Sequence, residues 1–565
     1  MSRIASFVAI GLLASAVSAL PSSERWTKRI SNNTEMIYSF EDLPHSTDLQ
    51  WTPCYDRYHC ANLEVPLDYA EPDVGTTIVA FIRQKAANST GQDVIFNPGG
   101  PGGSGIEYIL SGGGDQLVNF TGGKYDVVSF DPRGVNNSGI ALTCFPDNPE
   151  ARDAYYASLQ TSLPSLNEQY YQAVALGQWC MEANNDTFAK YAGTSAVVQD
   201  MMHFTELQAA LDGVKKPEEA EIWYIGGSYG TVIGHTLAAM YPDRIGRIVV
   251  DANVNSEDHY NGLKKTAIED ADDCYGWFFD LCYKAGLEKC AFAGKSGSAS
   301  DIKKRFDNLL AQLEKAPVVL NDTHIDPLLS RGPQIVTKDR VLTVGFRTLY
   351  RPFTEFAYLA KGLAGLEKNN ATAWIAVEQE LNQPGNPGPF NYTTIAMQEV
   401  LTFVTAVDAA GRSPIKNVDD YIKVAGEVER LSVYAGKGYA STNVLITAGL
   451  NMTPPKSQRF LGFKKTKTKT PIFFMNPSAD PITPIASAKH MLQFFEGSVL
   501  LEQNSVGHSV TSGSSLCTLG HLRRYLNNAT LPKAGTVCET DTKPLVDSPS
   551  LQKRSLPFVP MHLQR

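Results

Sequence analysis

The sequence has no excess of positive charge: 50 basic side chains stand against 59 acidic ones in 565 residues, a formal charge of −9. That argues against a nucleic-acid partner, whose phosphates are bound through lysine and arginine. None of the nine cysteines forms a Cys-x-x-Cys pair, so neither a zinc knuckle nor a dithiol redox centre is signalled. No segment after the N-terminus has the roughly 20 consecutive apolar residues that a membrane span requires. Charged residues are scarce, at 19% against 43% hydrophobic, which excludes disorder over most of the chain. The length fits two to four domains, or one enzyme fold carrying a large insertion.

The N-terminus places one cation, Arg3, before an apolar run at 4–16 and the small residues Val17-Ser18-Ala19. This reads as a secretory leader over 1–19, and its apolar run is too short to cross ~30 Å of hydrocarbon. An extension over 20–49 follows, with a dibasic pair, Lys28-Arg29, placed to suit removal of a propeptide. Ten Asn-x-Ser/Thr sequons agree with secretion and glycosylation: Asn32, Asn88, Asn119, Asn136, Asn185, Asn321, Asn370, Asn391, Asn451 and Asn528. In an oxidising compartment the cysteines can pair. Spacing suggests Cys54 with Cys60, Cys144 with Cys180, Cys282 with Cys290 and Cys517 with Cys538, leaving Cys274 free. Cys274 can also replace Cys282 as the partner of Cys290.

Short β-branched runs flanked by turn residues recur at 76–82, 93–97, 125–130, 221–225, 245–250, 471–475 and 498–502. Stretches with helical spacing, such as 197–211 and 231–241, lie between several of them. Alternating strand and helix imply an α/β fold with a mostly parallel sheet covered on both faces. The alternation stops after Val254 and resumes near Thr470. The chain therefore divides into a first core part (50–254), a mainly helical cap (255–465), a second core part (466–545) and a flexible tail (546–565). Helices are expected in the cap at 301–313, 341–366 and 372–381, with a Pro/Gly loop at 383–389. The lysine-rich run 464–469 reads as a solvated connector.

Gly226-Gly227-Ser228-Tyr229-Gly230 directly follows a predicted strand and directly precedes a predicted helix. That is the setting of a nucleophile elbow, whose sharp turn tolerates only small neighbours around the serine. A serine hydroxyl is too weak an acid to attack unaided, so a base and a carboxylate that orients it are required. The chain order serine, acid, histidine selects His508, a few residues after the last predicted strand, and Asp480, after the strand before it. Asp251, at the end of another strand, is the competing acid; Asp480 is favoured because prolines at 481 and 484 fix a tight loop around it. His490 and His521 fall within predicted helices and His562 in the tail. Asn97-Pro98-Gly99-Gly100-Pro101-Gly102-Gly103 offers exposed backbone after a further strand, and the amides of Gly100 and Tyr229 are the expected oxyanion donors. No Lys-Ser/Thr closes that loop, which argues against a phosphate-binding role.

These segments, together with Asp131-Pro132-Arg133-Gly134 and the entry region Trp51 to Cys54 and Cys60 to Tyr69, resemble the α/β-hydrolase branch of proline iminopeptidases and secreted tripeptidyl aminopeptidases. The likeness runs over roughly 50–545 and includes a TAP-like C-terminal segment. It implies a serine exopeptidase that releases N-terminal residues or short peptides, with cap carboxylates binding the substrate's ammonium group. Glu257, Asp258, Glu269, Asp270, Asp272 and Asp273 are the candidates early in the insert. It also implies that Asp131 and Arg133 brace loops around the oxyanion segment. The sequence departs at Val135-Asn136-Asn137-Ser138, where such enzymes often carry a further glycine. The partner expected is a peptide or a small ester or amide, and no metal or organic cofactor is called for. The alternatives are a carboxylesterase or small-molecule hydrolase, and a catalytically silent binding protein on the same scaffold.

Overall fold

The computed structural model describes residues 36–158, 164–185, 187–321, 323–327, 329–330, 332–381 and 392–547. The leader, the dibasic pair, Asn32, Asn391, the 383–389 loop and the chain from 548, including His562, lie outside them. The strands before the insert are β1 (His45–Ser46), β2 (Thr52–Cys54), β3 (Tyr58–Pro66), β4 (Thr76–Gln84), β5 (Asp93–Asn97), β6 (Asp126–Asp131), β7 (Ile222–Gly227) and β8 (Ile245–Asp251), and β-branched runs such as Val127-Val128 and Ile248-Val249-Val250 mark the central ones. The insert contributes a small antiparallel pair, β9 (Val318–Leu320) and β10 (Gln334–Val336). The core then resumes with β11 (Phe473–Ala479), β12 (Val499–Val506) and β13 (Val537–Glu539).

The main sheet runs β1-β3-β4-β6-β5-β7-β8-β11-β12-β13, with β2 beside β3. From β6 to β13 every pairing is parallel, whereas β3, β4 and β6 pair antiparallel. Every residue of β6 is buried, as expected where helices cover both faces of a parallel sheet. The two faces carry separate cores, one around Phe81, Phe130, Phe204 and Val232, the other around Ile82, Phe96, Phe473 and Tyr525. This is the α/β-hydrolase arrangement, and all seven expected runs are strands in it. β1, β2, β3 and β13 are additional.

The insert leaves the sheet after β8 and returns at β11, which pairs directly with β8 through Phe473 and Val249. The expected helix at 341–366 is two, Lys338–Thr348 and Pro352–Leu366. Pro352 lacks the N–H that a continuous helix needs and pushes Arg351 to φ −132°, ψ 64°. The insert has its own apolar core, built on Phe278, Phe306, Phe356 and Trp374, and that core includes Ala479 and Val506 at the ends of β11 and β12. The cap is thereby packed onto the two strand ends from which the loops of Asp480 and His508 depart. Of the tail, residues 546 and 547 are described, and Val546 packs against this core.

The sulfurs of Cys54 and Cys60, Cys144 and Cys180, Cys282 and Cys290, and Cys517 and Cys538 lie at bonding distance, and Cys274 is buried without a partner cysteine. Arg133 corrects one expectation. Its guanidinium is buried away from the oxyanion segment, paired with Asp200 at 2.7 Å and donating to the carbonyls of Pro66, Leu67 and Tyr191. It ties the segment after β6 to the end of β3 and to the helix Thr194–Leu211. Replacing it leaves the Asp200 carboxylate buried and uncompensated. Arg133→Ala is expected to lower the unfolding free energy by about 3–5 kcal/mol, read as a fall in the denaturant midpoint.

Candidate active site

The ends of β5, β7, β8, β11 and β12 converge at one rim of the sheet. After β7 the chain turns through Ser228 at φ 53°, ψ −125°, and Tyr229 starts the helix Tyr229–Met240. A non-glycine residue rarely holds a positive φ, and here surrounding backbone enforces it. A Cβ at Gly226 would stand 2.3 Å from Gly230 O, and one at Gly230 would stand 2.6 Å from Asn97 O. The glycines around the serine are therefore required by contact, and Ser228 is left part-exposed.

The turn after β5 lies against this elbow. A Cβ at Gly99 would be 2.5 Å from Gly227 O and 2.9 Å from Tyr229 N, so the two backbones touch through glycine. Asn97 Oδ1 accepts the Gly99 amide at 2.9 Å, whereas the amides of Gly100 and Tyr229 have no acceptor among the described residues. Two unpaired N–H groups beside a serine hydroxyl are what a tetrahedral oxyanion needs. Asp131 braces this turn as expected, accepting from Ser104 Oγ at 2.6 Å, the Ile106 amide and Asn137. The sequon residue Asn136 is exposed next to it, with Nδ2 3.4 Å from Ser104 Oγ.

On the opposite flank, His508 Nδ1 lies 3.0 Å from both oxygens of Asp480. Asp480 is fully buried, and its carboxylate also accepts the amides of Ile482, Thr483 and Ser509 at 2.9–3.1 Å. An acceptor so committed keeps the proton of the neutral imidazole on Nδ1 and leaves the Nε2 lone pair available. The His508 amide donates to Tyr350 O at 3.1 Å, and the two rings are 5.2 Å apart. Burial works against a charged imidazole at 508, but the charge and hydrogen bond of Asp480 outweigh it, so its pKa lies above the ordinary value of 6.5. Neither His508 Nε2 nor Ser228 Oγ has a hydrogen-bond partner among the described residues. Contacts of this kind commonly tighten only when substrate is bound.

Asp251, the competing acid, is not bonded to the imidazole. Its carboxylate accepts from Ser509 and Val510 instead. His490 pairs with Glu257 at 2.7 Å in the helix Ile485–Leu492, and His521 lies in the helix Leu516–Asn528, next to Cys517 and Cys538. Of the acids early in the insert, Asp258 accepts from Thr266, Asp272 from Ser432 and from the amides of Val433 and Tyr434, and Asp270 from the Ile485 amide. The side-chain carboxylates of Glu269 and Asp273 have no hydrogen-bond partner among the described residues.

Two features carried no sequence signal. The helix Tyr392–Ala409 of the insert covers the oxyanion turn, with Met397 O 2.9 Å and Val400 Cβ 3.1 Å from a Cβ at Gly102. Near its end, Asp408 accepts the Thr194 amide at 2.7 Å and pairs with His259 at 2.8 Å, and Thr194 Oγ1 is 2.6 Å from the Tyr229 hydroxyl. The second is Glu355, a buried carboxylate one turn into the helix that follows Tyr350, with Oε2 unpartnered. Burial pushes its pKa up to about 7 against the opposing charges of Arg347 and Arg351. Replacing Gly100 tests the oxyanion turn. At φ 118° a Cβ there would stand 2.7 Å from Gly103 N, so Gly100→Ala is expected to lower kcat by roughly 10²–10³-fold, the range for a lost oxyanion donor, with the fold retained by circular dichroism.

A model of the alpha/beta hydrolase fold matches residues 94–271, and one described as TAP-like protein matches residues 439–538. The chain is 24% identical over 501 residues to serine protease Hip1 of Mycobacterium tuberculosis, covering 87% of this chain and 91% of that protein. It is 22% identical over 517 residues to tripeptidyl aminopeptidase of Streptomyces lividans, covering 88% and 87%. A shorter likeness, 32% over 146 residues, links 25% of this chain to 27% of carboxylesterase B of M. tuberculosis. With the sheet order and the elbow after β7, these likenesses make the chain a serine hydrolase of the α/β-hydrolase fold.

Proposed function

We propose that this protein is a secreted serine exopeptidase that releases N-terminal residues or short peptides through an acyl-enzyme. Ser228 attacks the carbonyl, His508 takes its proton, Asp480 holds the imidazole, and the amides of Gly100 and Tyr229 bind the oxyanion. His508 then returns the proton to the leaving amine, and water releases the acyl group by the reverse path. The observation that carries this reading is the Asp480–His508 pair, with both carboxylate oxygens 3.0 Å from Nδ1, on the loops that flank the elbow. Likeness over most of the chain to a serine protease and a tripeptidyl aminopeptidase supports peptide bonds as the target. The short match to a carboxylesterase favours, as second reading, an esterase with the same chemistry.

Secretion is supported by the leader pattern and by exposure of every described sequon asparagine: Asn88, Asn119, Asn136, Asn185, Asn321, Asn370, Asn451 and Asn528. No helix among the described residues is long and apolar enough to cross a membrane. For the substrate's ammonium group, Glu355 joins Glu269 as a candidate anchor. Burial disfavours the carboxylate charge at both positions, and an incoming cation would relieve that cost. The charge of Arg351 acts on both Glu355 and His508.

Free and N-acetylated tripeptide anilides and a short-chain aryl ester, compared on wild type and Ser228→Ala, test this. Wild type is expected to cleave only the free-amine anilides and Ser228→Ala neither. Equal cleavage of the blocked peptides removes the amine anchor, and turnover of the ester alone favours the second reading. The pH profile is a separate check. His508 must be neutral to act as base, and its pKa is raised, so kcat/KM is expected to fall with one proton's slope as pH drops through a value above 6.5.

A further inference from the structure

Asp251 is the carboxylate at this rim that the triad leaves unused, and it touches both halves of the site. Its main-chain oxygen accepts the Ser228 amide at 3.1 Å. Its side chain accepts the Ser509 hydroxyl at 2.6 Å and the Val510 amide at 3.1 and 3.3 Å. One buried residue therefore bonds the backbone of the nucleophile and the two residues that follow the base. Ser509 needs holding: it sits at φ 83°, ψ 151°, a region that side-chain-bearing residues avoid. Through it His508 is kept in a loop whose other ties include Tyr350 O at the His508 amide, Ala479 O at the Gly507 amide, Thr483 Oγ1 at 3.2 Å from Nδ1, and Asp480 at Nδ1 and the Ser509 amide.

The electrostatics point the same way. Asp251 is bonded to no cation among the described residues, and burial raises its pKa to about 6 in spite of the bonds from Ser509 and Val510, with Asp480 adding to the rise. The charged groups that act on the imidazole are Asp480 and Asp251, which favour its protonated form, and Arg351, which opposes it. A carboxylate kept here at that cost, when asparagine would fill the same space, indicates that its charge and its two acceptor atoms are both used.

We propose that Asp251 is a positioning residue for acyl transfer: its carboxylate clamps Ser509 and Val510, fixes the His508 loop relative to the Ser228 backbone, and its charge keeps the imidazole basic. This rests on the Ser228–His508–Asp480 reading, which fails separately if Ser228→Ala retains turnover. In the full-length enzyme, Asp251→Asn keeps the shape and removes the charge. It is expected to move the acid limb of kcat/KM to lower pH, because an anion that favoured the imidazolium is gone, with KM unchanged. Asp251→Ala removes the clamp and is expected to lower kcat about a hundredfold, the cost of a misplaced catalytic group, with KM within about twofold. Ser509→Ala removes one donor only; kcat falls by less, and its effect does not add to that of Asp251→Ala. An acid limb unmoved in Asp251→Asn, together with wild-type kcat in Ser509→Ala, overturns the proposal even if Asp251→Ala does not fold. So does loss of turnover in Asp251→Asn with near-wild-type turnover in Asp480→Asn, which would make Asp251 the triad acid.

Discussion

Backbone touching backbone at the rim of the sheet is the constraint on which the site depends. The turn after β5 and the elbow after β7 approach so closely that Gly99 meets Gly227 O and Gly230 meets Asn97 O with no room for a Cβ. That contact brings two amides with no acceptor among the described residues beside a serine held at positive φ. Catalytic power in acyl transfer comes largely from donors already aimed at the oxyanion, and the donors here belong to main chain braced by Asp131 rather than to mobile side chains.

Around that contact the insert packs against the candidate site from several sides. Its helix Tyr392–Ala409 lies on the oxyanion turn through Met397 and Val400 and reaches Tyr229 through Asp408 and Thr194. Tyr350 holds the His508 loop from the same side, and Asp270 takes the Ile485 amide just beyond the Asp480 loop. Burial raises the pKa of Asp270 to about 6, so acid weakens an anionic cap contact beside the Asp480 loop. Changes in the cap can therefore alter kcat through positioning, besides filtering substrates by access.

The sheet was largely legible because its buried strands are uninterrupted apolar runs, and the site because strand-turn-helix context and the order serine, acid, histidine leave few choices. β3 escaped because Tyr58–Pro66 mixes His59, Asn62 and Glu64 with its apolar residues, and β13 because its three residues are mostly exposed. The break at Pro352 was visible in the residue type but was overridden by helical spacing on either side. The remaining parts of the site had no local signature. Asp408 and Thr194 are 214 positions apart, and Asp251 and Ser509 are 258 apart, and only the folded sheet brings them together. The acids clustered early in the insert drew attention by density, yet Asp258 holds the nearby Thr266 backbone and Asp272 the distant 432–434 turn, whereas Glu355, a single acid on an apolar helix face, is buried with Oε2 unpartnered among the described residues.

Covalent capture of the nucleophile is the most direct measurement. A fluorophosphonate reacts only with a serine whose hydroxyl is activated by a neighbouring base and whose developing oxyanion is bound. One adduct per chain, mapped by mass spectrometry of the digested protein to the peptide containing Ser228 and absent when His508 is replaced by alanine, is the expected result. An adduct on another serine, or labelling of Ser228 at the same rate without His508, would contradict the convergence of these side chains into one catalytic unit.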